Sequence, residues 1–244
     1  LQKAIDITAA GFRRVLKFLK PGVGEWEVEA EYLHEFIRNR SRKFAYPPII
    51  GSGKNACVLH YVENGSVCQD GEMLLMDVGA EWANWNADMT RTVPVNGRFT
   101  KRQRDVYNAV LKVQRGSADF LRPGVTQKEW RDHTIELMEV ELIGLGLIDA
   151  KEAKKQDPND RELVKKYYMH GIGHHLGLDV HDVGDLHEPV KEGMVFTVEP
   201  GIYIREENLG VRLEDDIVIG KEENVNLFKD IPIEVDEIEE LMNS

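Results

Sequence analysis

The stretch from Met73 to Val95 carries two aspartates that adjacent strands would place on one face of a sheet. An uninterrupted apolar run ends in Asp77, which is typical of a strand buried on both faces. From Asp88 onward the residues alternate with the period of two that a second strand requires. A hairpin folded about Trp82 and Ala83 would set the two aspartates directly opposite each other, with Cβ atoms about 5 Å apart. Because such close carboxylates repel, they must share a proton or bind a cation, and the stretch predicts a metal site.

Two segments of the first part of the chain recur in the second part. FLKPGV, which begins at Phe18, recurs 102 residues later as FLRPGV, and GEMLLMDVG, which begins at Gly71, recurs 122 residues later as GMVFTVEPG. Two echoes at similar offsets indicate a duplicated unit of helices and a hairpin. We therefore expect one α+β domain over 1–244, with pseudo-repeat halves of about 1–100 and 101–244 that close on a shared crevice.

The repeat brings two further acids into the predicted site. The second echo aligns Glu199 with the first aspartate, and Glu214 is the loose counterpart of the second aspartate. A hairpin with its tip at Glu206 and Glu207 would place these two glutamates opposite each other. Four carboxylates would form an oxygen-rich site for two divalent ions that hold a hydroxide between them. Hard ligands favour Mn²⁺, with Zn²⁺, Co²⁺ or Fe²⁺ also open.

A histidine-rich segment, HGIGHHLGLDVHD, should supply the nitrogen ligand of this site. It offers His170, His174, His175 and His181, and the chemistry of the residues alone leaves the choice among them open. His60 lies near the position equivalent to His181 in the repeat, at an offset of 121 residues. A histidine is therefore expected at the site in each half.

The remaining segments are interpreted as helices and short strands. Apolar residues at helical spacing predict helices over Leu1–Leu19, Glu25–Arg40, Lys101–Leu121 and from Pro123 to about Gly144. The second helix should turn one apolar side inward, formed by Trp26, Ala30, Leu33 and Ile37. A strand is expected around Cys57–Val62, and the charged segment Lys151–Lys166 is interpreted as a solvated helix and loop.

Composition narrows the class of partner and compartment. The net charge of −12 argues against nucleic acid, although it would suit a cationic group such as a peptide's α-amino group. No apolar run is long enough to span a membrane. The two cysteines have no metal-type spacing and no signal peptide is evident, so we expect a cytoplasmic location.

The order of these motifs resembles a known group of enzymes. D-x10-D, H-x6-H, VEPG and the acid of RLEDD, from about Leu1 to Ile219, are similar to the metallopeptidases with the pita-bread fold. That group contains methionine aminopeptidase, Xaa-Pro aminopeptidase (aminopeptidase P) and prolidase. The resemblance implies two pseudo-symmetric halves of helices and antiparallel hairpins around a central curved sheet. GSGKNACVLHY, NADMTRTVPVNGRF and HHLGLDVHDVG look most like aminopeptidase P, with prolidase a close second.

The resemblance also implies a ligand set. In the family, the metal histidine is followed seven positions later by a histidine that contacts substrate, a spacing that His174 and His181 satisfy. The metal ligands implied in this way, with Asp88 and Glu214 bridging both ions, are Asp77, Asp88, His174, Glu199 and Glu214.

The implied reaction is hydrolysis of the bond between an N-terminal residue and a following proline. The metal-bridging hydroxide would attack the carbonyl, and Glu199 would act as general base and then general acid. His60 and His181 would hydrogen-bond the substrate carbonyl and the tetrahedral intermediate, with His170 at the edge of the pocket. Arg212 and Tyr203 would orient the ligands.

Alternative functions and assemblies stay open at this level. One alternative is a prolidase that cleaves only Xaa-Pro dipeptides, and another is a non-catalytic pita-bread module that binds peptides. Relatives of this group usually carry an N-terminal domain that this sequence does not contain, so we expect either a catalytic domain alone or a naturally short protein. The resemblance implies a dimer or tetramer for the full-length protein.

Overall fold

The computed structural model describes residues 1–157, 160–185 and 187–244. The elements of the first half are α1 Gln2–Phe18, α2 Glu25–Arg38, β1 Ile49–Ser52, β2 Met73–Asp77, β3 Glu81–Trp82, β4 Trp85–Asn86 and β5 Thr90–Pro94. The helices of the second half are α3 Lys101–Phe120, α4 Gln127–Gly144, α5 Ala150–Ala153, α6 Glu162–Lys165 and α7 Val235–Met242. Its strands are β6 Val195–Val198, β7 Gly201–Ile204, β8 Leu209–Arg212, β9 Asp215–Val218 and β10 Val225–Asn226.

The two halves repeat the same turn between their paired helices. Gly22 and Gly124, which follow α1 and α3, have positive φ angles of 93° and 95°. The Gly22 N–H donates to the carbonyl of Cys68 at 2.9 Å, and the Gly124 N–H donates to the carbonyl of Val190 at 2.9 Å. A side chain is disfavoured at such φ values, so glycine is required in both copies. The two halves are therefore pseudo-symmetric in local geometry as well as in sequence.

The first hairpin is shifted from the predicted register by two residues. Its tip is Ala83 and Asn84, whose φ angles of 50° and 69° make the two-residue turn that matches the strand twist. Asp77 therefore pairs with Thr90 and not with Asp88. The predicted turn lay one residue too early along the chain. The prediction did not take into account that asparagine tolerates a positive φ, as Asn84 does at the observed tip. An even shift keeps both aspartates on the same face of the sheet.

The second hairpin has the predicted register. Val198 pairs with Asp215 and Gly201 pairs with Arg212. Between these pairs, the same register sets Glu199 opposite Glu214. The two hairpins meet through the Glu214 N–H, which donates to the carbonyl of Thr90 at 3.1 Å.

Two local predictions are wrong. Cys57–Val62 is not a strand: the strand lies earlier, at β1, and a 3₁₀ helix over Gly53–Cys57 then turns the chain away from the sheet. In α2, Trp26 and Ile37 are 50% and 57% exposed, and the helix instead buries its other apolar stripe, Val28, Tyr32 and Phe36. Tyr32 and Phe36 pack against α1 at Gly11, where a side chain would collide with both rings, so the two helices fit together on this stripe.

One hydrophobic core spans both halves. It contains Phe12 of α1, Met76 of β2, Tyr107 of α3 and Val211 of β8. The segment Lys151–Lys166 is less solvated than predicted, since Ala153 and Val164 join this core, and Pro158 and Asn159 lie outside the described residues. None of the described helices is long and apolar enough to cross a membrane.

Candidate metal centre

Three predicted ligands from distant segments form a compact cluster. Asp88 precedes β5, Glu214 lies between β8 and β9, and His174 lies in the loop before β6. One ligand atom of each lies within 4.8 Å of the others. The other two predicted ligands, Asp77 and Glu199, line the same cavity of 570 Å³.

His174 is held so that one ring nitrogen points into the cluster. Its backbone N–H donates to Thr197 Oγ1 at 3.1 Å, and its carbonyl accepts the Thr197 N–H at 3.0 Å. The ring Nδ1 lies 2.9 Å from the carbonyl oxygen of His175, to which it donates. Nε2 faces Asp88 Oδ2 at 3.5 Å and Glu199 Oε1 at 3.8 Å. Burial lowers the pKa of His174, but these carboxylates outweigh it and raise the pKa to about 9.

Asp77 is tied to two donors. Its Oδ2 accepts from Arg212 Nη2 at 2.6 Å and its Oδ1 accepts from the Tyr46 hydroxyl at 2.6 Å. The same hydroxyl lies within hydrogen-bond distance of Asp88 Oδ1. Burial raises the pKa of Asp77, Arg212 opposes that rise, and Asp88 adds to it.

The two glutamates are also forced toward their neutral forms. Burial, followed by the charges of Asp88 and Glu199, raises the pKa of Glu214 well above its ordinary value, although Glu214 accepts a hydrogen bond of 2.6 Å from Thr90 Oγ1. The Glu199 side chain keeps 20% of its surface open to the cavity, and burial of the remainder raises its pKa to about 7 against the opposing charges of Arg212 and His174.

This donor set fits a divalent cation. The acids raise one another's pKa values because too little positive charge lies near them. A divalent ion would supply that positive charge. Carboxylate oxygens with one imidazole nitrogen are ligands that Mn²⁺ and similar ions accept. The imidazole is already oriented by its bond to a backbone carbonyl, as is usual for metal-binding histidines.

Arg212 and Tyr203 continue the network away from the cluster. Arg212 Nη1 donates to the Tyr203 hydroxyl at 2.9 Å, and that hydroxyl lies 2.8 Å from His170 Nε2. His170 Nδ1 lies 2.7 Å from the carbonyl oxygen of Gly171. Burial and the charge of Arg212 lower the pKa of His170 to about 3, so the ring is neutral at ordinary pH. Arg212 thus touches a predicted ligand directly, whereas Tyr203 reaches it only through Arg212.

The predicted substrate-binding histidines surround the cluster. The His181 ring centroid lies 4.3 Å from that of His174, and burial followed by the charge of His174 lowers the pKa of His181. His60 is exposed on a turn at the rim, and with His170 and His181 it lines the cavity. All residues predicted for the site therefore lie in or beside one cavity.

Sequence reasoning missed Tyr46, Thr90 and Asp216 as partners of the acids. Asp216 Oδ2 accepts the Asp88 N–H at 3.2 Å, while its Oδ1 is buried and has no hydrogen-bond partner among the described residues. Asp216 could have been found, because it is two positions from Glu214 on the same strand face. Nothing periodic marks Tyr46, which reaches the site from a loop.

Two pseudo-symmetric helix-and-hairpin halves with an acid cluster in their common cleft define the class of pita-bread metallopeptidases. The model of "metallopeptidase family M24" matches residues 1–221, and the chain belongs to that family. An Xaa-Pro aminopeptidase of Haemophilus influenzae is 40% identical over all of this chain and 59% of its own length.

Solved structures of similar proteins show the same fold. Proline aminopeptidase P II from Yersinia pestis superimposes with a TM-score of 0.91 at 39% identity, over 100% of this chain and 58% of that one. A Glu-to-Ala variant of Escherichia coli aminopeptidase P in complex with substrate gives a TM-score of 0.91 at 38% identity, over 100% and 57% of the two chains. The chain thus spans less than two thirds of the length of these relatives.

Proposed function

We propose that this chain carries the catalytic site of a metal-dependent exopeptidase that hydrolyses the bond between an N-terminal residue and a following proline. The observation that carries the proposal is the convergence of the Asp88, His174 and Glu214 ligand atoms within 4.8 Å, in a cavity that Asp77 and Glu199 also line. The Xaa-Pro aminopeptidase relatives support the choice of substrate over other peptides.

We assign two divalent ions, with Mn²⁺ as the expected metal, to the five residues predicted as ligands, which would hold them. When bound, the ions would supply Lewis acidity and lower the pKa of a water molecule. Arg212 and Tyr46 would hold Asp77 in place, because each donates a 2.6 Å hydrogen bond to a different oxygen of its carboxylate.

Glu199 is assigned the proton transfer. Its carboxylate lines the cavity and keeps 20% of the side-chain surface open to it, so it can accept a proton from water there and return it, as a general base does. The proline nitrogen carries no hydrogen in the peptide and must gain one to leave. Glu199 would take the proton from water at a carboxylate oxygen and deliver it to that nitrogen.

The histidines are assigned to the substrate. His60 and His181 line the cavity and would donate hydrogen bonds to the substrate carbonyl and the tetrahedral oxyanion. Both ring nitrogens of His170 already have partners, Gly171 and Tyr203. We therefore assign His170 to packing against the substrate at the pocket edge.

The test is release of the first residue from Xaa-Pro-Yaa tripeptides after addition of Mn²⁺, with Xaa-Ala-Yaa peptides as the matched control. Release from the proline series alone is the expected result. Cleavage restricted to Xaa-Pro dipeptides would replace this function by that of a prolidase. No hydrolysis, together with no bound metal by elemental analysis, would indicate a non-catalytic binding module.

The proposal also covers the domain organisation and the partners of the protein. We propose that 1–244 act as one catalytic domain made of two duplicated halves. Peptides with proline in the second position are the expected partners. A dimer or tetramer of the full-length protein and a cytoplasmic location stay predictions from the sequence.

A further inference from the structure

A buried carboxylate without a cationic partner lies beneath the segment that carries His60. Glu25, the first residue of α2, is 0% exposed. Among the residues that the structure describes, no Lys or Arg side chain forms an ion pair with it. Burying a charged group in this way is unfavourable unless hydrogen-bond donors replace the lost water.

Five donors surround Glu25. Its Oε1 accepts from Ser52 N–H at 2.7 Å, Ser52 Oγ at 2.8 Å and Asn55 Nδ2 at 3.1 Å. Its Oε2 accepts from the Tyr61 hydroxyl at 2.9 Å and from Ser66 N–H at 2.8 Å. All of these donors belong to one segment, 52–66. A single carboxylate therefore forms hydrogen bonds with both ends and the middle of that segment.

The helix itself does not need this carboxylate. Glu27 Oε2 accepts the Gly24 N–H at 2.7 Å and caps α2, and Glu129 plays the same part at the start of α4. The residue equivalent to Glu25 in the second half is Gln127, the first residue of α4. An acid at this position is therefore peculiar to the half that contains His60.

The segment that Glu25 gathers forms one wall of the candidate site. After the 3₁₀ helix ends at Cys57, it has no regular hydrogen-bonded structure up to Val62, and Leu59, His60 and Val62 line the cavity. Tyr61, which donates to Glu25, is the neighbour of His60. The position of the His60 ring therefore depends on contacts outside the segment's own backbone.

We propose that Glu25 is a positioning residue that holds His60 in place for substrate binding. The proposal rests on the substrate role proposed for His60. A glutamine at this position would keep one acceptor oxygen and turn an amide N–H₂ toward donors on the other side, so part of the network would be lost. The metal ligands do not contact Glu25, so metal binding is not expected to change.

The experiment is a double-mutant cycle between Glu25→Gln and His60→Ala, with hydrolysis of Xaa-Pro-Yaa peptides by the Mn²⁺-loaded protein as the readout. We expect each single variant to lower kcat/KM by about 10-fold, and the double variant to be no worse than His60→Ala, because both remove the same interaction. Manganese content should equal that of the unchanged protein in all three.

Glu27→Gln is the matched control, since it makes the same chemical change on the same helix and glutamine can keep the capping bond. It should leave kcat/KM within about twofold and show no coupling to His60. Additive losses in the Glu25→Gln and His60→Ala cycle would overturn the positioning role.

Tyr61→Phe provides a second route if Glu25→Gln fails to fold. It removes one donor and leaves the carboxylate and four other donors in place. A smaller loss that is again not additive with His60→Ala supports the proposal, and additivity overturns it. A wild-type rate in His60→Ala would overturn both this proposal and the role of His60, while the assay for proline-specific hydrolysis would still stand.

Discussion

At the level of single residues, the Tyr46 hydroxyl shows how strongly the acids crowd one another. It lies within hydrogen-bond distance of both Asp77 and Asp88. A phenol has one proton and can donate to only one of the two carboxylates. Burial and the charges of Asp77 and Asp88 raise the pKa of Tyr46 well above its ordinary value, so the proton is retained. The hydroxyl therefore orients the acids and leaves their charge to be balanced by a cation.

Tyr46→Phe should weaken Mn²⁺ binding by about 10- to 100-fold, because residues that orient metal ligands typically have effects of that size. Isothermal titration of the metal-free protein with Mn²⁺ measures the change. Tyr107→Phe is the control, since it removes a buried hydroxyl that donates to the carbonyl of Ile233 at 2.7 Å, in the segment before α7 and outside the site. Equal affinity in Tyr46→Phe and the unchanged protein would contradict the orienting role.

Glu199→Ala and His60→Ala should separate metal binding from substrate binding. Glu199→Ala removes the residue that we propose as a metal ligand and as the proton carrier, so turnover should fall by more than about 10³-fold. His60→Ala should leave metal content unchanged, because the side chain lies at the rim of the cavity. Elemental analysis beside peptide hydrolysis measures both effects, and similar metal loss in the two variants would show that the roles are wrongly assigned.

At the level of elements, the loop that carries His174 is pressed against β6. A Cβ atom on Gly173 would lie 1.9 Å from the carbonyl oxygen of Thr197. Thr197 also holds the backbone of His174, because its N–H donates to the His174 carbonyl and its Oγ1 accepts the His174 N–H. The close approach of loop and strand therefore sets the height of the imidazole above the acids, and only glycine permits it.

Gly173→Ala should move the loop away from β6, destabilise the fold by about 1–3 kcal/mol and weaken Mn²⁺ binding. Gly171→Ala, two residues earlier, is the matched control, because a Cβ atom there meets no other atom within 4 Å. Thermal unfolding and Mn²⁺ titration of both variants test the prediction. The prediction is wrong if Gly173→Ala and Gly171→Ala have the same thermal stability and the same affinity for Mn²⁺.

At the scale of the whole molecule, the fold brings together acids from the two halves, and these acids repel one another when they are ionised. The pKa of Glu199 is about 7 in the folded chain against an ordinary value of 4.5. The folded state therefore binds a proton that the unfolded chain has released in this interval. This contribution to stability is complete below about pH 4.5 and is lost as the pH rises through about 7.

Mn²⁺ should therefore raise the melting temperature more at about pH 8 than at about pH 6, since ligands must lose protons to bind metal. At a concentration 100 times its Kd, an ion contributes about 2.7 kcal/mol, which corresponds to a rise of about 5–10 °C for a chain of this size. Differential scanning fluorimetry with and without Mn²⁺ at both pH values measures it. An equal rise at both values would contradict the predicted proton release.

Much of the site followed from periodicity and repetition along the chain. Alternation with period two placed Asp77 and Asp88 on one face of the sheet. That placement is correct although the predicted turn was not, because the strand register differs from the predicted one by an even number of residues. The echo of GEMLLMDVG in GMVFTVEPG led to Glu199, and Glu214 followed from the hairpin register. Resemblance to a family, and not spacing alone, was needed to choose His174 among its neighbours.

Packing between distant segments supplied what periodicity could not. Tyr46 joins the site from a loop, and α2 buries the stripe of Val28 and Tyr32 although another apolar stripe was available. Glu25 accepts hydrogen bonds from a segment that lies up to 41 residues away along the chain. A repeating pattern records which way a side chain points from its own strand or helix. The neighbour it meets depends on how separate elements pack, and that information is spread over the entire chain.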